Sequence, residues 1–310
     1  MWFGLFTGPG AFKINEYHPF KSERARSRYL TYYSERLSEW PVAFEDRHVA
    51  TSDGTTFVRI SGPENAPTLV LLPSASGNNL IWLPNIAALA QNFRVYTIDN
   101  IYDFGRSIYL RKFTTPDDFT SWLDDLFTKL ELGNNFYLGG LSYGGWLTSQ
   151  YALRYPERLN KIVLLAPVAT VQPLPPEWAK VAIKAILPHR RFIRQMVDWM
   201  FPVLIQTPEG RELAEVMMED AYLGLRSFKL KMTVNPTVLS DRDLLQLQQI
   251  PTLFLVGDQE VIYQPQAALD RLNLVAPEIR TFLVPNAGHD LTIVQSDLIN
   301  DRITSFIIGP

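Results

Sequence analysis

The residues best suited to chemistry lie around Ser142, in the stretch 140–144, which has the pattern Gly-x-Ser-x-Gly. An apolar run at 136–139 precedes the pattern and a helical run at 145–153 follows it. Such a strand-to-helix turn holds a serine in a strained conformation with its hydroxyl exposed, and small flanking residues allow close approach. The N–H of Tyr143 points into the same space from the helix N-terminus. The pattern predicts a nucleophilic serine, against the alternative of a plain Gly-Ser turn.

A serine nucleophile needs a base, and the base needs an orienting acid. Of the four histidines, His289 is the one that follows a strand-like run, at 280–284. Asp258 and Glu260 follow another apolar run, at 251–256. Considered alone, the histidine could be an ordinary surface-loop residue, and the two acids could belong to a solvated turn. Together they give the chain order serine, acid, histidine, which is the order described for α/β-hydrolases.

The elements that would position these residues alternate along the chain. Helical patterns at about 80–91 and 115–130 separate apolar runs that predict strands at 58–60, 68–72, 93–98 and 162–166. Nearly continuous apolar runs are typical of strands buried on both faces. The alternation predicts an α/β protein with a mostly parallel, doubly wound sheet and helices on both faces.

A different pattern occupies residues 171–244, which lack clear strands and are rich in proline, tryptophan, methionine and phenylalanine. Helical stretches at 177–187 and 192–201 predict a helical cap, inserted on the side where Ser142 and His289 emerge. Packing between helices is a sufficient explanation for most of these apolar residues when each is considered alone. A cap that is apolar as a whole nevertheless suggests a substrate with a hydrophobic acyl or alcohol group. Three domains are therefore predicted. Residues 1–44 form an N-terminal arm and helix, residues 171–244 form the cap, and residues 45–170 and 245–310 together form the core.

Composition sets few further limits. The chain of 310 residues is long enough for one α/β domain with an insertion, and a net charge of −3 gives no electrostatic case for nucleic acid. The absence of cysteine excludes disulfides, thiolate catalysis and cysteine-ligated metal. Residues 1–12 are apolar but lack a basic leader and are too short to span a bilayer, so we expect an arm lying on the domain or on a partner. Cytoplasmic location is the default expectation, and a homodimer stays open.

The chain resembles the α/β-hydrolase family over nearly its whole length, and within that family bacterial carboxylesterases of the naproxen-esterase type. The resemblance implies Ser142 as nucleophile, His289 as base and Glu260, the third residue after Gly257, as acid, with Asp258 as the alternative acid. It also implies that no metal or organic cofactor is needed. The stretches that carry the resemblance are 37–42, 61–67, 82–86, 257–263 and 286–289.

One departure from the family concerns the loop after the third strand. The family usually has His-Gly at this point, and this chain has Pro73-Ser74. The resemblance implies that the N–H groups of Ala75 and Tyr143 form the oxyanion hole, with a side chain at Ser74 where the backbone is usually crowded.

The predicted function is that of a serine hydrolase, which cleaves carboxylic esters of small, fairly apolar substrates through an acyl-enzyme. The same machinery suits cleavage of a C–C or thioester bond. An alternative from another class is a non-catalytic protein of this fold that binds a small hydrophobic ligand or a protein partner. An aspartate nucleophile, as in dehalogenases, is contradicted by Ser142.

Overall fold

The computed structural model describes residues 14–309 except 188, 230, 232 and 233. The predicted arm at 1–12 lies outside the described residues. The described part of the chain forms nine strands: β1 (Phe44–Thr51), β2 (Gly54–Ser61), β3 (Thr68–Leu72), β4 (Arg94–Ile98), β5 (Ile108–Tyr109), β6 (Phe136–Leu141), β7 (Leu159–Leu165), β8 (Thr252–Gly257) and β9 (Arg280–Val284).

Helices connect most of these strands. The α-helices are α1 (Glu23–Leu37), α2 (Leu83–Leu89), α3 (Pro116–Lys129), α4 (Tyr143–Arg154), α5 (Pro176–Ala185), α6 (Arg190–Met200), α7 (Pro208–Ser227), α8 (Asp241–Leu247), α9 (Pro265–Val275), α10 (Leu291–Val294) and α11 (Ser296–Ile308). Short 3₁₀ helices cover Asn79–Trp82, Pro156–Arg158 and Leu204–Gln206. The helix expected at 80–91 is therefore a 3₁₀ turn followed by α2, which has a proline in its first turn.

The strands form a single mixed sheet in the order β1-β2-β4-β3-β6-β7-β8-β9, with β5 paired to β2. From β4 through β9 along this order the neighbours are parallel, whereas β1, β2 and β5 pair in antiparallel fashion. The mostly parallel sheet predicted from the sequence is confirmed. Strand β1 was not predicted, because most of its residues are exposed and it lacks an apolar run.

Alternate residues of the central strands face two separate cores. Val70, Leu138 and Phe254 belong to one core, which the apolar faces of α3, α4, α8 and α9 cover. Leu69 and Leu255 belong to the other, which α2 and α11 cover. Because side chains alternate across a strand, continuous apolar runs fill both cores, and this gives the doubly wound arrangement.

Helices α5, α6 and α7 lie between β7 and β8, in the region where the sequence predicts a cap. Ile193 and Val197 of α6 pack with Ala214 and Met218 of α7 in a small core of their own. Residue 244, the predicted end of the insertion, falls inside α8. This helix packs on α4 of the core rather than on the helices of the insertion. None of the helices in the described ranges is both long and apolar enough to cross a membrane.

Candidate active site

The carboxyl ends of β6, β7, β8 and β9 are tied together in one row. At each step, the residue just past one strand donates its N–H to the next strand. The three bonds run from Ser142 to Leu165 at 2.9 Å, from Ala166 to Leu255 at 2.7 Å and from Asp258 to Val284 at 2.9 Å. The loops that carry the predicted serine, acid and histidine therefore leave from the same edge of the sheet, where open parallel sheets bind ligands.

Ser142 lies at the turn between β6 and α4 with φ 55° and ψ −112°. A positive φ in a residue other than glycine is strained, so the strained turn predicted from the sequence is confirmed. As a whole residue Ser142 is 8% exposed, so most of its surface is covered. The loop after β7 lies against it, with the Val168 N–H donating to the Ser142 carbonyl at 3.1 Å.

The loop after β3 approaches the start of α4 at Gly144. A Cβ atom at this glycine would lie 2.3 Å from the carbonyl oxygen of Leu72, so no side chain fits here. Tyr143 is the first residue of α4, and its N–H has no carbonyl one turn earlier in the helix to bond. Ala75 lies just past β3 in the exposed part of its loop. The two predicted oxyanion donors thus come from segments in close contact.

Glu260 and His289 form the best-defined pair in the site. The Nδ1 atom of His289 lies 2.9 Å from Oε2 of Glu260, and the side chains are 4% and 0% exposed. The other carboxylate oxygen accepts the N–H groups of Val261 at 2.8 Å and Ile262 at 3.0 Å. An ionised carboxylate only accepts hydrogen bonds, so this pairing favours the imidazole tautomer with its proton on Nδ1 and a lone pair on Nε2.

Asp258, the alternative acid, lies elsewhere on the same loop. It is exposed, and its Oδ1 accepts the N–H of Ala287 at 3.2 Å. Gly257 lets the two loops meet, because a Cβ there would lie 2.1 Å from the Ala287 carbonyl oxygen. The structure therefore brings Glu260 to the imidazole of His289 and directs Asp258 to the backbone of the histidine loop.

Within the described ranges, no hydrogen bond joins the Ser142 hydroxyl to the His289 ring. Catalytic hydrogen bonds are often long in free enzymes and tighten when substrate binds. The structure thus gives Ser142 and His289 a common sheet edge and fixes the orientation of the histidine through Glu260.

Two buried aspartates near the site were missed from the sequence. Asp290, 1% exposed, accepts the Gly288 N–H and the Leu204 N–H, each at 2.8 Å, and so joins the histidine loop to the segment after α6. Burial raises the pKa of its carboxyl. Asp103, 6% exposed, accepts the N–H of Ser76 at 2.7 Å. The position of Asp290 next to His289 is the one feature of the sequence that could have pointed to a role for it. No feature of the sequence singles out Asp103.

Comparisons with known proteins agree with this architecture. Residues 69–302 match the model of the alpha/beta hydrolase family. The chain is 32% identical over 302 residues to carboxylesterase YbfK of Bacillus subtilis, covering 96% of this chain and 99% of that protein. This chain belongs to the alpha/beta hydrolase family.

Solved structures of carboxylesterases show the same fold. The crystal structure of carboxylesterase CesB (YbfK) from Bacillus subtilis matches with a TM-score of 0.83 at 30% identity, covering 93% of this chain and 99% of that one. Naproxen esterase (carboxylesterase NP) from Bacillus subtilis matches with a TM-score of 0.83 at 31% identity, covering 92% and 99%. The resemblance drawn from short motifs is confirmed.

Proposed function

We propose that this protein is a serine esterase that hydrolyses carboxylic esters of small, fairly apolar substrates through an acyl-enzyme. The buried Glu260–His289 hydrogen bond, at the sheet edge that carries the strained Ser142, is the observation on which this rests. Relatives at 30–32% identity that cover nearly the whole chain are carboxylesterases, which supports the same reaction here.

In the proposed reaction His289 Nε2 removes the proton of the Ser142 hydroxyl as its oxygen attacks the ester carbonyl carbon. The developing oxyanion accepts hydrogen bonds from the N–H groups of Tyr143 and Ala75. The C–O bond then breaks, and the leaving alcohol takes the proton from His289. Water attacks the acyl-enzyme with the same base, and the carboxylic acid leaves with Ser142 restored. Glu260 holds the imidazole and stabilises its charged form.

We further propose that the insertion acts as the cap predicted from the sequence and binds the apolar part of the substrate. Trp178 of α5 and Trp199 of α6 have ring centroids 6.1 Å apart. Both are partly buried and pack against the large apolar core on one face of the sheet, to which Tyr143 and Ile262 also belong. Apolar walls with few polar groups are typical of sites for hydrophobic ligands.

Labelling with a fluorophosphonate tests the nucleophile. We expect one adduct, located by mass spectrometry on Ser142, and hydrolysis of p-nitrophenyl esters with a preference for short or medium acyl chains. Ser142→Ala removes both. Ser149→Ala is the matched control and should leave both unchanged, because this buried serine of α4 donates its hydroxyl to the Trp146 carbonyl of the same helix.

An adduct that persists in Ser142→Ala would place the active site elsewhere. A wild-type protein that neither reacts nor hydrolyses any ester of the panel would favour the non-catalytic alternative. Turnover of thioesters or C–C substrates without turnover of esters would favour the other bond classes. The cytoplasmic location and the homodimer stay predictions from the sequence.

A further inference from the structure

The loop that carries the Ala75 N–H has little packing to hold it. Residues 74–77 form a turn in which the Gly77 N–H donates to the Ser74 carbonyl at 3.0 Å. Ser76 has φ 59°, and both Ala75 and Ser76 are exposed. An exposed turn with a residue in the left-handed region needs an external contact to keep one conformation.

Asp103, in the loop after β4, supplies such a contact. Its Oδ2 accepts the Ser76 N–H at 2.7 Å, and its Oδ1 accepts the N–H of Phe104 at 2.9 Å. The Asp103 N–H donates in turn to the carbonyl of Asn100 at 3.0 Å, so the aspartate itself is held. A short bond from a backbone N–H to a carboxylate is stronger than a neutral bond.

A lysine from the insertion lies against the same aspartate. The Nζ of Lys231 donates to the Asp103 carbonyl at 3.4 Å and lies 5.0–5.8 Å from the ring centroids of Tyr102, Tyr109 and Phe228. Burial lowers the pKa of Lys231 to about 8 and raises the pKa of Asp103 to about 6, while the opposite charge of each counteracts the shift. Each group thus favours the charged form of the other.

The same stretch of the insertion reaches the other proposed oxyanion donor. The hydroxyl of Tyr143 donates to the carbonyl of Val234 at 2.9 Å. Burial raises the pKa of Tyr143, and the negative charge of Asp103 adds to the shift. Lys231 thus contacts the aspartate that bonds the loop of Ala75, and Val234 contacts the residue whose N–H is the other proposed donor.

We propose that Asp103 is a positioning residue for the oxyanion hole: it fixes the peptide N–H of Ser76 so that the Ala75 N–H faces the reacting carbonyl, and Lys231 balances its charge. This inference rests on the proposed esterase function. It accounts for a working hole in a chain that has Pro73-Ser74 where the family has His-Gly. A carboxylate and a cap lysine hold the turn from outside the loop.

Steady-state kinetics on Asp103→Ala and Asp103→Asn test the inference. Removing one oxyanion donor costs about 10²–10³ in kcat, so a donor that is misplaced rather than removed should cost about tenfold or more. We expect that loss in kcat for Asp103→Ala, with KM within about threefold, because the oxyanion forms only in the transition state. Asp103→Asn keeps the shape and one acceptor, and should show a smaller loss even where the alanine variant folds poorly.

A trifluoromethyl ketone gives the readout that separates positioning from general destabilisation. Its tetrahedral adduct on Ser142 carries an oxyanion, so its affinity should fall in parallel with kcat/KM in the Asp103 variants. Asp124→Asn is the matched control: Asp124 likewise accepts two hydrogen bonds, in its case from the side chains of Tyr151 and Arg158 at 2.9 and 2.7 Å, but it lies near the amino end of β7. Its kcat and inhibitor affinity should stay at wild-type values.

A double-mutant cycle tests the role of Lys231. Lys231→Met should lower kcat, and its combination with Asp103→Asn should lose less than the product of the single losses, because the two groups act on each other. Independent losses would overturn the part assigned to Lys231. Wild-type kcat in Asp103→Ala, or an equal loss in Asp124→Asn, would overturn the inference and leave the esterase standing. A wild-type protein without esterase activity overturns both.

Discussion

At the residue scale, Asp258 and Glu260, the two acids after β8, differ in where their carboxylates point and not in their chemical type. The carboxylate of Glu260 is buried against the imidazole of His289, and both its oxygens are bonded. Asp258 is exposed and bonds the backbone of the histidine loop. The longer side chain points inward because Glu260 lies beyond the turn at Gly257, with its N–H donating to the carbonyl of that glycine at 3.3 Å.

We predict that Glu260→Gln lowers kcat by about a hundredfold or more, because the imidazolium formed in the reaction loses its counter-charge. Asp258→Asn, the matched control, should keep kcat within about threefold, since an amide oxygen still accepts the N–H of Ala287. Kinetics on a p-nitrophenyl ester measure both, and circular dichroism checks the fold. If Asp258→Asn is the crippling variant, the roles of the two acids are reversed.

At the element scale, the site depends on how closely the end of β3 packs on the start of α4. Gly144 has the carbonyl oxygens of Leu72 and Pro73 at 2.3 and 2.6 Å from where a Cβ would stand. Backbone atoms cannot yield as a side chain can, so a substitution must push the strand exit away from the helix.

Gly144→Ala should therefore destabilise the fold by about 2–4 kcal/mol and reduce esterase activity, because the loop of Ala75 moves away from Tyr143. Gly133→Ala is the control: this glycine has φ +66° but open space around it, so only backbone strain of about 1 kcal/mol is expected, with full activity. Urea unfolding and ester kinetics measure both. Equal activity in the two variants would contradict the argument.

The contact between the insertion and the histidine loop also belongs to this scale. Asp290 bonds the N–H groups of Leu204 and Gly288, and an asparagine can accept only one of them well. Asp290→Asn should lower the free energy of unfolding by about 1–3 kcal/mol and speed hydrogen exchange at the Leu204 amide. Unchanged exchange at this amide would show that the aspartate does not hold the insertion.

At the scale of the whole molecule, one buried carboxylate joins three separate segments. Asp99, 0% exposed, accepts the hydroxyl of Tyr33 from α1 at 2.7 Å, the N–H of Asn79 at 3.0 Å and the N–H of Arg106 at 2.8 Å. Burial raises its pKa to about 6, from an ordinary value of 3.8, although these bonds favour the charged form. The position of this residue makes the stability of the fold depend on pH.

Between about pH 4 and 6 the folded protein holds a proton on Asp99 that the unfolded chain has released. The stabilisation that comes from protonated Asp99 is therefore fully present below about pH 4 and is lost as the pH rises through about 6. We predict that the stability of the wild-type protein relative to Asp99→Asn is greater at pH 4.5 than at pH 7.5 by about 2 kcal/mol. Urea unfolding at the two pH values measures the difference, and equal differences would contradict the raised pKa.

Several features of this protein could be predicted from local patterns in its sequence. The apolar runs of β3, β6, β7 and β8 mark buried strands, and the Gly-x-Ser-x-Gly stretch predicts the strained turn of Ser142. Chain order and resemblance gave His289 and Glu260, and their hydrogen bond agrees with that pairing. These features carry their signal within a few consecutive residues.

Other features depend on residues far apart in the chain and were found only in the folded protein. Strand β1 is set by its pairing with β2, since its exposed residues carry no apolar pattern. Ser142 is buried by the loop after β7, which no local pattern reveals. Asp103 meets its partner 27 residues away and Asp290 meets Leu204 86 residues away, so both are recognised only once the chain is folded. A buried carboxylate is defined by what covers it and what bonds it, and folding brings both from elsewhere in the chain.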